Sequence, residues 1–216
     1  MTGSRLRYAT TGGVFTVAFI ALGLLVHGRP LPVDRAIAAG LRDRWREPLG
    51  RIAGVLTDVL GPALPIVFGG VLVLLMLLCW WRGNRARAGL LLRVAVVLGL
   101  CRLTSVVSKP LFDRLRPRPY PGFSYPSGHV VSVLSAGVAA TVLCLWLAPR
   151  LVRWIVALTV AATALAACCR IVLGVHWLTD TIGSVLIVLG VGLLSSTGLG
   201  LLPARREPLP RTESTA

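Results

Sequence analysis

Three polar blocks stand out in an otherwise apolar chain: Lys109 with Arg116 and Pro117, the run Pro126-Ser127-Gly128-His129, and Arg170 with His176 and Asp180. Lys109 is the only lysine among 23 Lys and Arg residues, which marks a position that uses an ammonium where the rest of the chain uses guanidinium. Two of the three histidines, His129 and His176, also lie in these blocks. Three cations and the free amides of a helix N-terminus can neutralise the equatorial oxygens of a transferring phosphoryl group. One histidine can attack phosphorus if a carboxylate holds its other ring nitrogen, and the second can protonate the departing oxygen. Ser127, placed just before an apolar run, suits an N-cap, and the amides and positive dipole end behind it suit an anion. His176 and Asp180 are four residues apart, the spacing of one helical face. Singly, each block has an ordinary reading. Lys109 and Arg116 would serve as interfacial charges, Ser127 as a cap, and His176 with Asp180 as a structural pair. Their joint order and spacing favour a catalytic site.

The elements that must hold these blocks are read from the apolar background. The chain has 216 residues, 55% of them apolar and 14% charged, with a mean hydropathy of +0.79. That composition excludes an ordinary water-soluble globule and equally a disordered chain. A hydrocarbon core about 30 Å thick needs roughly 20 apolar helical residues. Runs at 9–26, 59–81, 130–147 and 181–202 are free of charge, 154–169 can be extended by its flanks, and 89–107 is interrupted only by Arg93 and Arg102. The expected fold is therefore all-α, a six-transmembrane-helix bundle. Arg102 lies seven residues before Lys109, about two helical turns, and is expected behind the phosphate-binding groups or paired with an acid.

Between the first two spans, residues 32–51 interleave Ala36, Ile37, Ala39 and Leu41 with Arg35, Arg42, Arg44 and Arg46, the pattern of an interfacial helix on the membrane surface. An eighteen-residue apolar core near the N-terminus with no close small-residue cleavage site reads as a retained span rather than a signal peptide. The membrane domain is placed at 1–202, with its motif core at 109–180, and 203–216 reads as a disordered cytoplasmic tail. The five cysteines lie in or beside apolar runs, as free thiols packing like small hydrophobes.

The formal net charge is +15, which in a soluble protein would suggest nucleic acid. Here the basic residues fall between apolar runs, so no nucleic-acid partner is expected and they act as orientation signals and headgroup partners. Basic residues divide eleven to twelve between the two sides, but six of the twelve lie in the amphipathic stretch from Arg29 to Arg51. With those and the polar loops set aside, the balance favours both termini in the cytoplasm and the site on the extracytoplasmic face of the plasma membrane. The fourth and fifth spans form a hairpin closed near residues 148–153, so the polar loops that flank it share one side and can converge.

With these residues in view, the chain resembles the type 2 phosphatidic acid phosphatase superfamily. The resemblance rests on a lysine, six residues and Arg-Pro (Lys109, Arg116, Pro117), on Pro-Ser-Gly-His (Pro126 to His129), and on Ser-Arg, five residues, His, three residues, Asp. The last block is met by Arg170, His176 and Asp180, with Cys169 in place of the usual serine. The resemblance implies a membrane lipid phosphatase that works without a metal or other cofactor, through a phosphohistidine intermediate. It assigns His176 as nucleophile, Asp180 as its orienting carboxylate and His129 as general acid. Lys109, Arg116, Ser127, Gly128 and Arg170 would hold the phosphate of a lipid substrate. Vanadate-dependent haloperoxidases share these motifs but are soluble and larger. The competing reading from another class is a membrane protein that binds or transports a phosphate lipid without catalysis, for which His176 and Asp180 would be superfluous. The loop at 118–125 is short, so a small headgroup is expected: a polyprenyl pyrophosphate foremost, then phosphatidic acid or phosphatidylglycerol phosphate.

Overall fold

The structure, a computed structural model, describes residues 3–203. Among these are eight α-helices and no strand: α1 (Gly3–Val26), α2 (Pro32–Gly40), α3 (Pro48–Val59), α4 (Ala63–Trp81), α5 (Arg85–Phe112), α6 (Gly128–Leu147), α7 (Val152–Val172) and α8 (Leu178–Gly198). Six segments are long and apolar enough to cross a bilayer, with α3 and α4 counting as one run of 34 residues. The protein is thus an all-α, multi-pass membrane protein. The tail read at 203–216 lies, beyond Pro203, outside the described residues.

The helices outrun their uncharged cores because a helix end can carry charge to the interface. α1 begins at Gly3 rather than residue 9, and α5 extends over Arg85–Phe112 although only 89–107 reads as apolar. Two local differences matter more. The stretch at 32–51 is not one surface helix: α2 ends at Gly40, a short 3-10 turn covers Arg44–Arg46, and α3 starts at Pro48. Asp43, in the left-handed region at φ 64°, makes the break. The second span likewise begins earlier than residue 59, since α3 leads into α4 across Leu60, Gly61 and Pro62. Arg51 and Asp58 conceal α3 from a search for uncharged runs.

Ala, Ser and Gly let helices approach closely where no hydrophobic force drives them together in lipid. A Cβ on Gly12 of α1 would stand 2.9 Å from Leu194 Cγ and 3.0 Å from the Gly190 carbonyl of α8. Outer faces carry apolar side chains such as Val17, Ile66, Val106 and Leu158, exposed to the bilayer. The cysteines are all free, two of them buried, but Cys168 lies exposed on α7 rather than in the core.

The two ends of the bundle differ. At one end Trp80, Trp81 and Trp154 are exposed, and the Arg85 guanidinium lies 3.5 Å from the Trp80 ring centre, an interfacial belt. At the other end converge the C-termini of α1, α5 and α7 and the N-termini of α6 and α8. Phe19, Phe112 and Tyr125 pack there with ring centres 5.0–5.5 Å apart. The Tyr125 hydroxyl donates to the Phe19 carbonyl at 2.7 Å. This cluster pins the loop between α5 and α6 to α1, and with it the polar blocks.

Candidate active site

Lys109 sits in the last turn of α5, which ends three residues later with Asp113 in a left-handed C-cap. Its ammonium lies at the first residue of α6, since a Cβ on Gly128 would be 4.0 Å from Lys109 Nζ. Gly128 opens α6 and Ser127 occupies its N-cap position. The expected cap hydrogen bond is not made. Ser127 is held by its backbone instead, the amide donating to Ser184 Oγ at 2.9 Å, while its own buried Oγ has no partner among the described residues. This hydroxyl, unclaimed among the described residues, therefore stands at the N-terminus of α6 beside an ammonium.

Arg116 comes from the loop after α5. It donates to the carbonyls of Gly122 at 2.8 Å, Val175 at 2.7 Å and Phe123 at 3.1 Å, and places a guanidinium nitrogen 3.2 Å from His176 Nε2. Burial, and after it the charge of Arg170, lowers its pKa from the ordinary arginine value without threatening its charge. Arg118 donates to the Leu173 carbonyl at 2.8 Å and lies over Trp45, joining the two polar loops directly. Arg170 lies buried in the last turn of α7, and its Nε has no partner among the described residues. Unpaired buried donors cost about 1–3 kcal/mol each, a cost that an anionic ligand would remove.

His176 does not share a helical face with Asp180, as the four-residue spacing suggests. It precedes α8, and Asp180 is the third residue of that helix, so the two meet across a helix start. Asp180 Oδ2 receives the Trp177 amide at 2.8 Å and faces His176 Nδ1 at 3.3 Å. The ring state follows from its neighbours. Arginine only donates, so Nε2 facing Arg116 is the lone-pair nitrogen, and Nδ1 carries the proton toward the carboxylate. Burial of the ring outweighs the pull of Asp180 and lowers the His176 pKa from 6.5 to about 4, so the imidazole is neutral at ordinary pH.

His129, the second residue of α6, lies within reach of the charges of Arg170, His176, Lys109 and Arg102. Lys109 in turn feels Arg116, Arg170, Asp180 and Arg102. The eight residues singled out in the sequence thus come together at one end of the bundle. Arg102 donates to Ser105 Oγ at 2.7 Å and stands behind the site on the continuous α5, rather than against an acid. A cleft of about 570 Å³ opens beside His176 between α2 and the two loops, with Arg35, Arg42, Trp45 and Arg118 in its walls.

Two buried charged residues escape the sequence reading. Arg114, 2% exposed, donates to Asp180 Oδ1 at 2.5 Å and to Asp34 Oδ2 at 2.8 Å. Asp34 comes from α2, about 80 residues away in sequence, and also receives the Thr179 amide at 3.1 Å and hydroxyl at 2.7 Å. Arg114 lies two residues before Arg116, and Asp34 is an acid inside an arginine-rich amphipathic segment. Neither position has a spacing that announces its partner.

Three cations and a helix N-terminus surround a carboxylate-bound imidazole, an arrangement that suits a phosphoryl group. The profile of the PAP2 superfamily matches residues 90–200, more than half of the chain. The chain belongs to the PAP2 superfamily. It is a membrane phosphoric ester hydrolase, and the matched segment contains all eight candidate site residues but not Asp34. The crystal structure of a transmembrane PAP2-type phosphatidylglycerolphosphate phosphatase from Bacillus subtilis shares the fold, with a TM-score of 0.66 at 22% identity over 87% of this chain and 94% of that one. No curated protein matches this PAP2 chain.

Proposed function

We propose that this PAP2 lipid phosphatase hydrolyses a polyprenyl pyrophosphate at the extracytoplasmic face of the plasma membrane, through a phosphohistidine on His176. What carries the reading is the pairing of His176: Nδ1 on Asp180 and Nε2 on a phosphate-binding arginine. An anion binder has no need of that carboxylate. A phosphate drawn to Lys109, Arg116, Arg170, Ser127 and the α6 amides presents phosphorus to the Nε2 lone pair. The P–N bond forms at the terminal phosphorus as the bridging oxygen leaves with the lipid monophosphate, and His129 supplies the proton that oxygen needs. Water then attacks the phosphohistidine with His129 as base, releasing phosphate. Asp180 stabilises the positive imidazole in between, as the carboxylate of a hydrolase triad does.

The small headgroup rests on the short, tethered loop. Residues 118–125 are folded down by Arg116 and Arg118, leaving no lid for a large polar group. The arginine-walled cleft beside His176 suits an anion passing between site and water. Purified protein should be assayed for phosphate release against polyprenyl pyrophosphate, phosphatidic acid and phosphatidylglycerol phosphate. The pyrophosphate should give the highest kcat/KM. A higher value for either glycerolipid would replace the substrate, and no release from any would favour the binding or transport reading.

A further inference from the structure

Asp34 and Arg114 take no part in holding phosphate, yet both are fully buried and joined to the carboxylate behind His176. We propose that they are positioning residues, which fix the orientation and net charge of Asp180 and so make the seating of α2 a condition for turnover. The proposal rests on His176 being the nucleophile.

The geometry is a closed set of bonds. One arm of Arg114 donates to Asp180 Oδ1 at 2.5 Å and to Thr179 Oγ1 at 2.7 Å, and the other reaches Asp34 Oδ2 at 2.8 Å. Thr179 returns to Asp34 through both its amide and its hydroxyl. With Oδ1 taken by Arg114, Asp180 cannot rotate, and its Oδ2 stays aimed at His176 and the Trp177 amide. Asp34 is itself fixed at the start of α2, where it also receives the Leu31 amide at 3.3 Å.

The charges lead to the same place. Arg114 and Asp180 alone sum to zero and would leave the imidazolium ring that phosphorylation creates with no net negative charge on its Nδ1 side. Asp34 gives the buried cluster one net negative charge, at a depth where charges are little screened. Breaking such a network on one side leaves an uncompensated buried charge, whereas removing opposite partners together is milder.

The test measures kcat, KM and phosphoenzyme formation per folded molecule, with the thermal midpoint alongside, for Asp34→Asn, Asp180→Asn, D34N/D180N and D34N/R114M. Asp34→Asn keeps its shape and can still accept from Thr179. It should lower kcat about 10–100-fold, with KM within about threefold, on the scale of losing a residue that orients a catalytic group. The loss should vanish in D34N/D180N relative to Asp180→Asn, because Asp34 acts through that carboxylate. D34N/R114M should be no faster than Asp34→Asn, because it restores the net charge but frees Asp180 Oδ1 to rotate. Unchanged kcat in Asp34→Asn, a change confined to KM, or losses that multiply in D34N/D180N would each overturn the proposal. The Asp34 and Asp180 variants carry the test by themselves if D34N/R114M does not fold. His176→Ala, run in parallel, separates the two readings. Persistent turnover and phosphoenzyme in it defeat the nucleophile, whereas their loss beside an unaffected Asp34→Asn defeats only the positioning role.

Discussion

The two histidines of the site differ in what surrounds them. His176 is buried and clasped between Asp180 and Arg116, whereas His129 stands in the first turn of α6 beside the cations. His176→Ala should abolish turnover and acid-labile phosphoenzyme together, with a loss of roughly three or more powers of ten, the scale of removing a nucleophile. His129→Ala should slow lipid phosphates severely but p-nitrophenyl phosphate less, because an activated leaving group needs little protonation. Label trapped in His176→Ala and absent from His129→Ala would reverse the roles. The pH dependence follows from the burial that lowers the His176 pKa to about 4. The ring keeps its Nε2 lone pair down to that region, so the acid limb of kcat/KM assigned to it should fall near pH 4, well below the ordinary histidine range. The stability effect has a definite sign. Between about 6.5 and 4 the unfolded chain binds this proton and the folded one does not, so the contribution of His176 to stability declines as pH falls through that window. Rate profiles and thermal midpoints between pH 3.5 and 8 measure both.

At the scale of elements, the site depends on how α8 meets the loop that enters α6. Gly183, one turn after Asp180, packs against the buried Tyr125, and a Cβ there would overlap the phenol ring. Tyr125 is stacked on Phe19 and edge-on to Phe112, so it has no free direction in which to move. Gly183→Ala should destabilise the fold by about 1–3 kcal/mol, the usual cost of overpacking a filled core, read as a lower thermal midpoint in detergent. Because Ser127 and Pro126 follow Tyr125 directly, activity should drop with it. A midpoint equal to that of the parent protein would show that the aromatic cluster yields.

For the whole molecule, orientation and charge set the expectations. If both termini are cytoplasmic, Arg118 faces the outside, and Arg118→Cys in a background without the native cysteines should react with an impermeant thiol reagent in intact cells. Reaction only after the inner face is opened would invert the topology. If Lys109, Arg116 and Arg170 neutralise the phosphate, hydrolysis should survive excess chelator. Loss that Mg²⁺ restores would call for another mechanism. Vanadate should inhibit, since its trigonal bipyramid resembles the state such a site binds most tightly.

The six spans were legible in one dimension, because a bilayer demands long uncharged helices, and so were the eight candidate residues that the fold brings together, because each block is local and keeps its spacing in the sequence. It blurred the helix ends and concealed α3, where Arg51 and Asp58 interrupt an apolar run without stopping the helix. Packing was needed to bring His176 and Asp180 together across a helix start, to leave the Ser127 hydroxyl without a partner among the described residues, and to join Asp34 to Asp180 through Arg114. The physical reason is the same in each case. Hydrophobic period and motif spacing report what one segment requires of its solvent and of its near neighbours. A buried ion cluster drawn from α2, the loop after α5 and the start of α8 exists only once three distant segments have been packed together, and nothing in any one of them names the other two.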